Sequence, residues 1–310
     1  MSKVQDITHN GLPSANPPER IPAPIEHAAR IYQAYPKAQY ILPADDLEVP
    51  RLLIQHGDWK TLFGNKVLFA PVTLDANDKV LEVATGPGFW IMDLAESVGP
   101  LVPMVAVDIE SRLFPVCPPK NITFGIESVT NLPRDWTNSF SFVHQRLLIL
   151  ALQVHEWPTA VGELYRVLRP GGWVQIAETA PWVEAENPKT PCMEKLTAMY
   201  CALLRSRNLY PDCAQDIPAM LEAAGFVDIH SESRIQLIGK WAGEIGVTHR
   251  VNHVGVFRGI KTPVLDAGGF GIVTSEAEYD DLLDGLDREW DEVPGTEKEI
   301  VIVWAQKPSV

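Results

Sequence analysis

The sequence Val-Leu-Glu-Val-Ala-Thr-Gly-Pro-Gly, residues 80–88, decides the fold. It is a short apolar run that ends in a glycine-rich turn, and a second apolar run, Val105–Val107, ends at Asp108. A turn of this kind between a strand and a helix lets a ligand approach the backbone, and an acid at the end of the next strand can accept both ribose hydroxyls. The two segments therefore predict a site for a nucleoside cofactor.

The residues around the turn argue against a dinucleotide. Ile91 stands where a dinucleotide fold carries its third glycine. Pro87 removes a backbone N–H, and Trp90 adds bulk where a pyrophosphate needs an open helix N-terminus. S-adenosylmethionine carries no phosphate, and its ribose and methionine portions suit such a turn, with Glu82 or Asp108 as the acids.

The segments that follow alternate between strands and helices. Strands are predicted over residues 122–126, 140–144 and 173–177, and an amphipathic helix over 158–168. This spacing implies a parallel sheet with helices on both faces, which binds ligands at the carboxyl ends of its strands. The polar residues at those ends are Glu82 to Gly88, Asp108, Glu127, Ser128, His144 to Arg146, and Glu178.

The order of these segments resembles the class I S-adenosylmethionine-dependent methyltransferases, in which a sequence like Leu-Arg-Pro-Gly-Gly-Trp, residues 168–173, precedes the fifth strand. Upstream, the Tyr-Ile-Leu-Pro-Ala-Asp sequence of residues 40–45, with Glu48 and Arg51, is similar to the fungal secondary-metabolism methyltransferases typified by LaeA. Val-His-Gln-Arg, residues 143–146, is similar to them as well. The resemblance extends from about residue 30 to Pro308.

The resemblance implies a Rossmann-like α/β fold with a seven-stranded, mostly parallel sheet whose last strand is antiparallel. The residues themselves predict a helical N-terminal cap over 26–66 and a domain over 67–310, with a lid insertion at about 235–290 where glycine and small residues are frequent. Residues 1–25, rich in proline, are expected to form a flexible tail. The implied cofactor residues are Glu82, Ala84, Gly86, Gly88 and Asp108, with Glu127 or Ser128 facing the adenine. Tyr40, from the aromatic cluster ahead of the loop, and His144, at the end of the fourth strand, are also expected to bind the cofactor. The family's loop usually begins with glycine where this chain has Ala84.

Two features of the cap follow from its residues. Asp45 and Glu48 have the spacing of a capping box, although Pro50 favours instead a helix that begins near Val49 and runs to Phe63. Aromatic side chains ahead of the cofactor loop are expected to close over the cofactor and exclude water, with core packing as the alternative for each. They are Tyr32, Tyr35, Tyr40, His56 and Trp59.

A sulfonium methyl group is already activated, so the enzyme must mainly place a nucleophile, and an alcohol or phenol also benefits from a general base. His144, Glu178 and His253 are the candidate bases, and each can equally be a structural residue. Arg146 is expected to bind an acidic acceptor or the methionine carboxylate, or else to pair with a neighbouring acid. Because acceptor sites are mostly apolar, the expected walls are Trp182, Tyr200, Trp241 and Phe257.

Composition limits the partners. A net charge of -14 repels phosphate backbones, and no basic run offsets it, so no nucleic-acid partner is expected. No apolar stretch approaches a membrane span and the N-terminus lacks the apolar h-region of a signal peptide, so a cytoplasmic location is expected. The four cysteines are scattered, and His249 and His253 lack an acid at metal-ligand spacing, so no metal is expected.

The sequence therefore favours a methyltransferase that uses S-adenosylmethionine to methylate oxygen on a small, largely apolar natural product. Methylation of nitrogen or carbon by the same fold is the first alternative. A LaeA-like regulatory protein with little small-molecule turnover is the second, and an NAD-dependent oxidoreductase, disfavoured by the missing glycine, is the third. The identity of the acceptor and the oligomeric state stay open.

Overall fold

The computed structural model describes residues 23–182 and 187–309. The predicted tail therefore lies outside the described residues except for positions 23–25. Seven strands form one sheet: β1 (Val80–Val83), β2 (Met104–Asp108), β3 (Ile122–Ile126), β4 (Phe140–Arg146), β5 (Leu168–Thr179), β6 (Val227–Leu237) and β7 (Glu297–Gln306). The helices are α1 (Glu48–Leu62), α2 (Phe89–Val98), α3 (Trp157–Val167), α4 (Pro191–Ser206), α5 (Cys213–Ala223), α6 (Gly243–Gly259), α7 (Lys261–Asp266) and α8 (Glu276–Glu292).

The strand order is β3-β2-β1-β4-β5-β7-β6. Strands β1 to β5 run parallel, and β7 lies antiparallel between β5 and β6, with Ile176 opposite Val303. The predicted Rossmann-like sheet with an antiparallel last strand is thus confirmed. Because β1 and β2 are parallel neighbours, the 84–88 turn after β1 and Asp108 at the end of β2 lie together at the carboxyl ends of the strands.

The central strands are buried on both faces, because helices cover the sheet on each side. All four residues of β1 and the first six of β4 are buried. Trp157 of α3 and Trp290 of α8 are among the largest fully buried side chains. A strand covered in this way reads as a continuous apolar run without alternation, as Val80–Val83 largely does apart from Glu82.

The N-terminal segment is helical only in part. Helix α1 begins at Glu48, close to the predicted start at Val49, whereas residues 26–45 contain no helix. Asp45 does not cap α1, since its carboxylate pairs with Arg30 and the N-cap residue Leu47 makes no side-chain cap. Residues 26–45 pack against α6, where the Tyr32 hydroxyl donates to the Gly259 carbonyl at 2.7 Å.

The predicted insertion consists of α6, α7 and α8, which lie between β6 and β7 in the chain, while residues 235–237 belong to β6. Ser275 caps α8 as predicted, accepting a 3.1 Å hydrogen bond from the Glu278 N–H. The carboxylate of Glu278 accepts from Thr274 rather than completing the box. No helix within the described ranges is long and apolar enough to cross a membrane.

Candidate functional site

A cavity of about 340 Å³ opens at the carboxyl ends of the strands. One end of it is formed by residues 84–87 of the turn, 108–110 at the end of β2 and 127–130 after β3. The N-terminal segment contributes Tyr35 and Tyr40, and α6 contributes His253 and Phe257. The cofactor loop, the N-terminal cover and the insertion therefore surround one space.

The backbone of the turn explains its glycines. Gly86 has φ +53° and Gly88 has φ +77°, conformations that other residues adopt only with strain. A Cβ atom on Gly88 would lie 2.7 Å from Cζ of Phe124, so Gly88 serves close packing and does not line the cavity. Ala84, where the family has glycine, also has a positive φ of 53° and does line the cavity.

Asp108 lies next to this turn, at the end of β2. Its carboxylate accepts hydrogen bonds from the backbone N–H groups of Gly86 at 2.8 Å and Glu110 at 3.1 Å. Burial raises the pKa of Asp108 to about 6, so the group is mostly ionised at neutral pH. Glu110, Glu127 and Ser128 line the same end of the cavity.

These hydrogen-bond acceptors fit an adenosyl sulfonium. Carboxylates at Asp108 and Glu110 can accept the two hydrogen bonds of a ribose diol, and Gly86 leaves open space where a Cβ would project. The cationic side chains on the cavity wall come from four separate elements, and they form no cluster of the kind that a pyrophosphate requires. They are Lys37, Arg51, Arg146 and Lys298.

Two of the residues predicted to bind cofactor lie behind the loop. Glu82 is 1% exposed and accepts a hydrogen bond from the Thr85 hydroxyl. Nδ1 of His144 lies 3.3 Å from Oε1 of Glu82, and its ring stacks on Trp90 at 3.6 Å between centroids. Neither side chain lines the cavity. Burial raises the pKa of Glu82 to about 7 and holds the pKa of His144 well below its ordinary value, so His144 is neutral.

Arg146 does line the cavity, and His56 holds it in place. Its Nη1 donates to Nδ1 of His56 at 3.1 Å, and Nε2 of His56 donates to Asp93 at 2.8 Å. Burial and the Arg146 charge lower the pKa of His56 to about 4, which keeps the imidazole neutral and able to accept. A guanidinium oriented in this way can bind a carboxylate in the cavity.

Glu178, predicted as a base, is fully buried and lies outside the cavity. Its Oε1 accepts a 2.5 Å hydrogen bond from the Leu148 N–H, which anchors the cavity-lining segment after β4. Burial raises the pKa of Glu178 to about 8. The geometry is that of a group that fixes a loop.

The far end of the cavity has aromatic walls. The Trp182 ring lies 6.1 Å from that of Phe257, which in turn meets Tyr200 at 5.8 Å. His253 is the one predicted base that reaches the cavity, and its ring lies 5.5 Å from Trp182. Trp241 does not take part, since its Nε1 donates to the Ile238 carbonyl away from the cavity.

Lys298 also lies at this end, and sequence reasoning missed it. Its Nζ lies 4.4 Å from the centre of the Trp182 ring, and the residue is 4% exposed. Burial lowers the pKa of Lys298 to about 7. Alternation along the closing strand was the available signal, because Lys298 falls on the same side as the buried Ile300.

Of the aromatic residues expected to cover the cofactor, Tyr35 and Tyr40 line the cavity. Tyr32 contacts α6 through Gly259, and Trp59 packs in a core cluster with Phe63 and Phe69. Within residues 23–182 and 187–309, no three His, Cys, Asp or Glu side chains lie together so as to hold a metal ion. Nδ1 of His249 instead donates to the Leu237 carbonyl.

Comparison with known proteins gives the following relatives. Residues 80–172 match the family described as "Methyltransferase domain". The N-methyltransferase sirN of Leptosphaeria maculans is 30% identical over 246 residues, which span 78% of this chain and 76% of that protein. The N-methyltransferase verN of Clonostachys rogersoniana is 28% identical over 285 residues, 88% of this chain and 94% of that protein. The secondary metabolism regulator laeA of Gibberella zeae is 25% identical over 225 residues, 69% of each chain.

Proposed function

Because the chain belongs to the class I S-adenosylmethionine-dependent methyltransferases of the LaeA-like family, we propose that it methylates a nitrogen atom of a small, largely apolar molecule. The observation that carries the proposal is the single cavity that joins the cofactor loop at Gly86 to the aromatic walls at Trp182 and Phe257. The names of two relatives favour nitrogen over the oxygen that the sequence alone favours. Oxygen methylation stays the alternative tested below.

The bound cofactor supplies an electrophilic methyl carbon, whose bonding electrons leave with sulfur. The residues that would hold it are Ala84 to Pro87, with Asp108 and Glu110 on the ribose and Arg146 on the methionine carboxylate. Tyr35 and Tyr40 cover the cavity from the N-terminal segment and reduce access of water to the reacting groups. The aromatic walls orient an apolar acceptor against that end, so proximity supplies much of the rate.

The test has two parts. Calorimetric titration with S-adenosylmethionine, S-adenosylhomocysteine and NAD is expected to show binding of the first two only. Transfer of labelled methyl is then measured to three acceptors of one bicyclic skeleton: tetrahydroisoquinoline, tetrahydronaphthol and tetrahydronaphthoic acid. Methylation of the amine supports nitrogen, and methylation of the phenol alone supports oxygen. If the protein binds cofactor and methylates none of them, the small-acceptor proposal fails.

A regulatory role is the second candidate, favoured by the similarity to laeA. It predicts that a tagged full-length chain captures defined proteins in stoichiometric amount, and that the three acceptors stay unmethylated. If the tagged chain captures proteins only in non-stoichiometric amounts and an acceptor is methylated, the regulatory role would be contradicted.

A further inference from the structure

Lys298 occupies an unusual place for a lysine. It lies near the start of β7, opposite Gln236 of β6, and is 4% exposed. In the described part of the chain its ammonium lies over the ring of Trp182, and no carboxylate there forms an ion pair with it. Buried lysines are rarely left without an anion, because desolvation of the ammonium is costly. The side chain faces the cavity instead.

Among residues 23–182 and 187–309, the titratable groups that interact with Lys298 do not supply a counter-charge. Cys213 of α5 and Cys201 of α4 interact electrostatically with it, and burial raises the pKa of Cys213 so that it stays a neutral thiol. His253 of α6 is near enough for the lysine charge to depress its pKa. Glu178 and Tyr200 act on Cys213 and Cys201 from further away, and Arg51 and His249 act on His253.

His253 is a weaker proton acceptor than Lys298. Its Nε2 donates to Oε1 of Gln236 at 3.1 Å, and burial holds its pKa well below the ordinary value. A base is most effective when its pKa lies near the working pH, and the pKa of Lys298, about 7, meets that condition. About half of the Lys298 side chains are therefore uncharged at neutral pH, with a lone pair that can accept a proton.

We propose that the Nζ atom of Lys298 receives the proton that the methyl acceptor gives up. The bond between that proton and the acceptor atom breaks, its electron pair stays on the acceptor, and the proton forms a fourth bond to Nζ. Water at the cavity mouth then takes the proton from the ammonium. The inference rests on the proposed function and narrows its substrate class to acceptors with a proton on the nucleophile, such as secondary amines and phenols. Trp182 stabilises the transient ammonium through its ring face.

The first test needs no acceptor. The native protein is treated with trace acetic anhydride from about pH 6 to about pH 11, and acetylation of each lysine is measured by mass spectrometry. Lys66, which lies over the Phe69 ring at the surface, is the matched control. We expect Lys298 to reach half its maximal reactivity near pH 7. If Lys298 follows Lys66, or is unreactive at every pH, the proposal is wrong.

The second test compares Lys298→Met, Lys298→Arg and Lys66→Met. Both changes at Lys298 are expected to lower kcat about a hundredfold for the amine or phenol. Any methyl transfer to tetrahydronaphthoic acid that the native protein shows is expected to persist, because its carboxylate has no proton to lose. Equal loss with all three acceptors would show a structural role only, and full retention with the amine would exclude the proton transfer. Calorimetry with S-adenosylmethionine separates these outcomes from failure of the proposed function, because Lys298→Met is expected to bind it as the native protein does.

Discussion

The backbone N–H of Gly86 donates a 2.8 Å hydrogen bond to Oδ2 of Asp108 and so joins the cofactor loop to the end of β2. The same carboxylate faces the cavity, where it is proposed to accept the ribose hydroxyls. One residue therefore shapes the loop and binds the ligand.

Asp108→Asn keeps an oxygen for the Gly86 N–H but removes the charge that strengthens bonds to the ribose. We expect the affinity for S-adenosylmethionine to fall by about 1.5 to 3 kcal/mol, measured by calorimetry. Asp228→Asn, at an exposed carboxylate of β6 outside the cavity, is the control. Unchanged affinity in Asp108→Asn would remove the residue from the site.

Ala84→Gly is expected to stabilise the protein by about 1 kcal/mol. Ala84 has a φ of 53°, a backbone conformation that strains an L-residue with a Cβ atom but does not strain glycine. Ala198 lies on the exposed side of α4, where the same change to glycine is expected to destabilise by a similar amount. Denaturant unfolding measures both. Destabilisation in the two variants alike would contradict the strain at Ala84.

Arg51→Met is expected to destabilise the protein by about 3 kcal/mol. Arg51 donates to the buried Glu48 at 2.6 Å and to Asn252 of α6 at 3.0 Å, so its loss leaves a buried carboxylate with a weaker partner. Arg258 pairs with Asp284 at the surface, and Arg258→Met is expected to cost less than about 1 kcal/mol. Similar losses of free energy of unfolding in both variants would argue against the buried network.

Glu178→Gln is expected to change the dependence of stability on pH. Burial raises the pKa of Glu178 from 4.5 to about 8, so the folded state holds a proton that the unfolded state has lost between those values. The stabilisation that Glu178 contributes is fully present below pH 4.5 and is lost as the pH rises through 8. Over this range the free energy of unfolding falls by up to about 1.4 kcal/mol per pH unit.

The variant is therefore expected to lose less stability than the native protein between pH 5 and pH 8, as measured by thermal unfolding over that window. Glu222→Gln, on the exposed side of α5, is the control and is expected to keep the native slope. Parallel curves for Glu178→Gln and the native protein would show that Glu178 is ionised when folded.

Strands β1 to β3 were predictable because each was a largely apolar run that ended in a glycine turn or an acid, and Asp108 was correctly placed at the end of its strand. Which strand-end side chains reach the cavity was not. Strand β4 is buried on both faces, so its sequence gives no alternation to tell which way His144 points. His144 faces Trp90 behind the loop, while Arg146, two residues on, reaches the cavity.

The cover and the far end of the cavity depend on contacts between distant parts of the chain. Residues 26–45 are held by pairs such as Arg30 with Asp45 and Tyr32 with Gly259, which local propensity does not encode. Lys298 lies over the Trp182 ring and acts on the pKa of His253 only in the folded chain, where β7 pairs with β6. Such a juxtaposition becomes visible only in three dimensions.

The place of β7 in the sheet affects how the protein is made. A ribosome synthesises β6 before β7, yet β7 lies next to β5 and β6 lies outside it. Until β7 emerges, β5 keeps an open edge of unpaired backbone groups that can pair with another chain. Synthesis therefore includes an interval of exposure to aggregation, in which a chaperone that shields this edge would raise the yield of native protein.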